Sequence, residues 1–174
     1  VQCWGGRYKA EGNNNQLGVI VRTEPTTENL PRSTVEQVYE LINSDLDNAI
    51  ELLSHVATIA KTNKSHIDVH VARGLKARVL LTQGKWLEAA NMAALVVEKS
   101  GAKLQDDTYT TFNNRMSDQS NTEWLWGKKG LEEQAGTLKD FHSFMSNKNV
   151  SYNKNTPRAI YNLLYNRISS TDVR

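Results

Sequence analysis

With 174 residues, 39% of them hydrophobic and 23% charged, the chain suits one globular domain better than two. Its formal net charge is +2, and Lys and Arg are spread along the sequence. No basic stripe therefore tracks a phosphate backbone, which argues against a nucleic-acid partner.

Residues 1–32 carry little periodicity. The run "GGRYKAEGNNNQLGV" is dense in Gly and Asn, which favour turns and tolerate left-handed backbone. The short apolar run Leu17–Val21 is expected to form a strand or an extended edge, and Pro25 and Pro31 keep the segment out of regular helix. Cys3, the single cysteine, excludes an internal disulfide and is read as a small buried hydrophobe beside Trp4 rather than a nucleophile.

A first helix is expected over 33–54. Ser33 and Glu36 have capping-box spacing, and Val35, Val38, Tyr39, Ile42, Leu46, Ala49, Ile50 and Leu53 form one apolar stripe. Asp45, Asp47 and Asn48 fall on the other face. A second helix is expected over 67–83, with Val71, Leu75, Val79 and Leu80 inward and Ala72 and Ala77 beside them. Gly84 should close it as a left-handed cap, and a third helix should run over 86–99, closed by Gly101. So short a turn makes the last two antiparallel neighbours. Small residues are then needed where their backbones approach, which predicts Ala77 at the contact with the Ala89, Ala90, Ala93 and Ala94 face, and Trp86 in the core. The order Ala77, Leu80, Gly84, Trp86, Ala89, Val96 is a partial tetratricopeptide pattern, with Arg73 and Lys76 at places that are usually apolar.

Beyond residue 101 the helical period is lost. Leu104, Tyr109 and Phe112 are expected to anchor a long connection, and "NTEWLWG" (121–127) alternates like a short strand with Trp124 and Trp126 on one side. A helix is expected over 138–145. Another should start at Thr156–Pro157, with Ala159, Ile160, Leu163, Leu164 and Ile168 as its stripe. No apolar run reaches the roughly 18 residues of a membrane span.

Chemistry-bearing patterns are sparse. His66 and His70 are four apart and could share a helix face toward a metal, but no further ligand has a recognisable spacing, so a solvated first turn is the expectation. Asp106–Asp107 is read as a solvated turn rather than a calcium site. There is no Gly-x-Ser-x-Gly elbow and no phosphate-binding glycine loop. No pair of carboxylates stands in the distinctive context of glycoside hydrolysis. An enzyme is therefore not expected, nor a cofactor. Trp4, Tyr8, Tyr109 and Tyr152 lie in loops near Asn13, Asn14, Asn15 and Asn153. Aromatics beside amides suit a polyol ligand, and these four are the candidate ligand-binding residues; packing against the helices is the competing role for each.

Together "LPRSTVEQVYELINSDLDNAIELL", "VARGLKARVLLTQGKWLEAANMA" and "SNTEWLWG", in that order, resemble the SusD/RagB family, and the closing "SSTDVR" is similar to its Asp-x-Arg segment. The family often has Pro after the Gly-Val matched by Gly18–Val19, where this chain has Ile20. The resemblance implies an all-α fold of tetratricopeptide-like helix pairs (an α-α superhelix) with long irregular loops. The chain is expected to be a single SusD-like helical-repeat domain over 1–174, an internal section of a longer protein. It also implies non-catalytic capture of glycan or other nutrient at the outer membrane of Bacteroidetes. The oligosaccharide would pass to a SusC-type TonB-dependent transporter, and a lipid anchor outside this chain would hold the protein at the surface. The rival expectation is a generic helical-repeat scaffold that binds protein and no sugar. Since the helix faces are taken by packing, sugar contacts are expected from loops 1–32, 102–130 and 146–156, with weak or no binding by this section alone and binding without cleavage by the full-length protein.

Overall fold

The computed structural model describes residues 5–56, 64–104, 121–127 and 159–172. The described residues are all-α: α1 (Val35–Ser54), α2 (Val69–Thr82), α3 (Trp86–Lys99) and the single turn α4 (Asn162–Tyr165). Two compact units divide the chain, one of residues 1–103 and 123–126, the other of 104–122 and 127–174.

In the first unit α2 packs against both α1 and α3, with a core of Val35, Val38, Tyr39, Val71, Ala72, Ala77, Leu80, Ala89 and Val96. α1 starts at Val35, two residues into the expected range, and its cap is Thr34 where the spacing suggested Ser33. Ser33 is engaged by the preceding strap: its carbonyl accepts from Gly18 N at 2.7 Å and its N–H donates to Val19 O at 3.0 Å. Leu17 and Thr34 form the accompanying antiparallel bridge, so the expected run pairs as a short edge over residues 17–19 and forms no longer strand. A Cβ on Gly18 would meet Ser33 O at 3.2 Å, so glycine permits this approach. Capping falls to the next pair: Gln37 N donates to Thr34 Oγ1 and Thr34 N to Gln37 Oε1. The strap supplies the remaining acceptors, with Val35 N donating to Gln16 O at 2.9 Å and Glu36 N to Asn14 O at 3.1 Å. All the free amides of the first turn are thereby satisfied.

α2 begins at Val69, where Asp68 Oδ1 accepts from Val71 N at 2.9 Å. His66 therefore precedes the helix, exposed, and does not share a helical turn with His70. The buried face is also rotated from expectation. Leu75 is exposed and Val79 half-buried, while Lys76 is 7% exposed. The reason is polar: the Lys76 ammonium donates to Asp47 Oδ2 at 2.9 Å and to Asn43 O at 3.3 Å, both on α1. Gly84 (φ +77°) ends the hairpin turn and Gly101 (φ +72°) follows α3, both in the left-handed region as their placing after the helices predicts.

On α3 only part of the expected face is inward. Ala89 and Val96 are buried and Met92 half-buried, whereas Ala90, Ala93 and Ala94 are exposed. Trp86, expected in the core, is 65% exposed, and Leu87 is 74% exposed. One helix neighbour needs only one stripe, here 89–92–96, and Trp86 at the first helical position lies outside it. Residues 121–127 form a turn and a bend rather than a strand; Trp124 is half-buried, and Trp126 donates from Nε1 to Ser65 O at 3.2 Å.

In the second unit, residues 159–161 are not helical and α4 spans four residues with no side-chain cap. Ile160, Leu163, Leu164 and Ile168 are exposed instead of forming a buried stripe, since one turn is too short for cooperative helix. Leu104, expected as an anchor, is likewise exposed. Tyr109, Phe112, the 138–145 helix and the Thr156–Pro157 start lie outside the described residues.

Candidate functional site

Because Thr34 and Gln37 cap α1, the Glu36 carboxylate is left for other work. Glu36, Glu40, Asn43 and Asp47 follow at intervals of four, three and four, which sets them along one helix face. Ser44 and Asn48 lie beside them. Tyr8 of the strap stands over one end of this face, and Gln83 and Lys85 of the α2–α3 turn stand along its side. Together they enclose an open cavity of about 450 Å³ within the first unit.

Its floor is held by hydrogen bonds. Tyr8 Oη donates to Glu36 Oε1 at 3.0 Å, and Asn43 Nδ2 donates to Gln83 Oε1 at 3.0 Å. Gln83 is 2% exposed, so its amide is fixed in place. The Tyr8 ring meets Tyr39 edge to face, with centroids 4.9 Å apart and planes at 66°, a favourable aromatic arrangement. The Tyr8 phenol is pushed above its ordinary pKa, first by burial and then by its hydrogen bond to the negative Glu36. Burial alone raises Tyr39. Glu36 Oε2 and Asn43 Oδ1 are shielded from solvent with no hydrogen bond from the protein. A buried acceptor left so costs on the order of 1–3 kcal/mol.

Of the four aromatics expected at a ligand site, Tyr8 lines this cavity; Trp4, Tyr109 and Tyr152 lie outside the described residues. Asn14 is committed to its own loop: its Oδ1 accepts from Lys9 N, and its Nδ2 donates to Lys9 O and Gly12 O. Asn13 and Asn15 are exposed. The sequence reading placed Asp47 and Asn48 on the polar face of α1 but gave that face no ligand role, and the turn residues Gln83 and Lys85 escaped it. The signal for the face was the helical spacing of Glu36, Glu40, Asn43 and Asp47. Among the described residues no group of three or more His, Cys, Asp or Glu is placed to hold a metal, and no helix is long and apolar enough to cross a membrane.

Comparison with known proteins bears on what such a frame carries. Residues 1–81 match the SusD-like family described as starch-binding and associating with the outer membrane. Among solved structures, a SusD-like carbohydrate-binding protein from Bacteroides vulgatus ATCC 8482 is 26% identical, with a TM-score of 0.58 over 68% of this chain and 25% of that one. A SusD superfamily protein from Bacteroides thetaiotaomicron VPI-5482 is 30% identical, with a TM-score of 0.53 over 65% of this chain and 24% of that one. The chain thus spans about a quarter of the length of these structures. No curated protein matches it.

Proposed function

The chain is SusD-like, and from that premise we propose that it takes part in capturing glycan at the bacterial cell surface without cleaving it. The ligand passes to a TonB-dependent outer-membrane transporter of the SusC type, and a lipid anchor outside this chain keeps the protein at the membrane. The observation that carries this reading is the match of residues 1–81 to a family described by starch binding and outer-membrane association. The architecture supports it physically. Packed helices give a rigid frame, and polar side chains converge on a cavity beside an aromatic ring, the combination that small-ligand sites use.

Isothermal calorimetry of the full-length protein against fragments of starch, xylan and mannan tests it, with chromatography of the sugars after long incubation. Binding with the sugars recovered at their original length is the expected result. Release of shorter sugars sinks the non-catalytic part. Absence of binding to every sugar, at millimolar concentration, sinks the whole reading. The exposed Trp86, Leu87 and Val97 of α3 favour a second reading, a helical scaffold for a protein partner without sugar binding. The same calorimetry separates the two.

A further inference from the structure

We infer that the cavity between Tyr8, the polar face of α1 and the α2–α3 turn is a subsite for a neutral, hydroxyl-rich saccharide. The assignment rests on the glycan-capture reading and locates it on residues that nothing else assigns.

The lining decides the ligand class by charge and by hydrogen-bond type. Glu36, Glu40 and Asp47 are acceptors, while Lys85 and the Asn48 amide nitrogen are donors. An anion would meet three carboxylates. Lys76 already offsets Asp47 and Lys85 offsets one further carboxylate, so a cation finds only one net negative charge, with the Lys85 ammonium beside it. A sugar hydroxyl donates and accepts at once, so it can use both kinds of group without a charge conflict.

Two further features point the same way. The floor is set before any ligand arrives: Gln83 is buried and fixed by Asn43, and Glu36 is fixed by Tyr8. Preorganised polar groups cost little to order on binding. Glu36 Oε2 and Asn43 Oδ1, moreover, are acceptors without donors, tucked against that floor. The volume of about 450 Å³ falls in the range of small-ligand sites, about 300–1,000 Å³.

The test maps amide chemical shifts of the 174-residue chain on titration with maltotriose, xylotriose and mannotriose. A chitosan trimer serves as the cationic comparison and a galacturonic acid trimer as the anionic one. Binding by at least one neutral sugar is expected, with shifts concentrated at Tyr8, along 36–48 and at 83–85. The double variant Glu40→Gln, Asn48→Ala should weaken that sugar about fivefold or more at unchanged melting temperature. Glu51→Gln, on the same helix outside the cavity, should leave binding intact. Neutral-sugar binding with shifts elsewhere, or undiminished in the double variant, overturns the subsite and leaves glycan capture standing. Preference for either charged trimer overturns the neutral class. No binding of any sugar by this chain overturns the subsite, and calorimetry of the full-length protein then decides glycan capture separately.

Discussion

At Lys76 the side chain is 9% exposed, whereas the Asp47 carboxylate it meets at 2.9 Å is 63% exposed. The two halves of this pair therefore respond differently to mutation. Asp47→Asn strips a buried ammonium of its counter-charge and leaves it the Asn43 carbonyl, and should cost about 1–3 kcal/mol. Lys76→Met removes the buried charge, keeps most of the volume and leaves a solvated carboxylate, and should cost less than about 1 kcal/mol. Urea unfolding of both variants checks the order; equal losses would contradict it. Tyr8 gives a pH signature. Its pKa is raised in the folded state by burial and by Glu36, so its contribution to stability is complete below about pH 10 and lost as pH climbs through the raised value. Glu36→Gln removes the neighbouring charge, and tyrosinate absorbance should then show Tyr8 ionising at lower pH than in the parent. An unchanged titration would mean that Glu36 does not govern the phenol.

The helical elements carry their own tests. Gly84 lies at φ +77°, and a Cβ there would approach Ala10 Cβ to 3.1 Å, so Gly84→Ala should cost about 1–2 kcal/mol through backbone strain. Ala89→Leu adds three carbons at a position 5% exposed and should cost about 1–3 kcal/mol. A melting temperature equal to the parent's in either variant would refute the packing described for the hairpin. The existence of α1, α2 and α3 was legible because periodicity, caps and closing glycines agree. Their inward faces were less so. Lys76 is buried because α1 offers it a carboxylate and a carbonyl, a fact about a neighbouring helix that α2's own sequence does not contain. Ala90, Ala93 and Ala94 look like a packing face in isolation, yet α3 has only α2 to pack on among the described helices. The cavity was legible only at Tyr8, since its other walls come from elements 28 or more residues away in sequence, as the Tyr8–Glu36 bond illustrates.

Over the whole molecule the exposed apolar side chains are the feature with a measurable outcome. In the first unit Leu81, Trp86, Leu87 and Val97 face solvent, and in the second Tyr161, Leu163 and Tyr165 do. Surfaces of this kind associate. Sedimentation velocity should show a weight-average coefficient that rises with concentration, and Leu87→Lys with Val97→Lys should lessen the rise. A constant coefficient at high concentration would count against it.

The strap that caps α1 has a kinetic consequence. In most helices the leading amides exchange with solvent hydrogen as the end frays. Here Val35 N and Glu36 N are held by the Gln16 and Asn14 carbonyls, and the Arg32 guanidinium clamps Gly18 O and Leu17 O. Those two amides can exchange only when the strap lifts, so their deuterium uptake reports the detachment of a segment that begins more than fifteen residues earlier. Val35, Glu36, Gly18 and Ser33 should become labelled at one common rate, and that rate should be slower than at the uncapped start of α3.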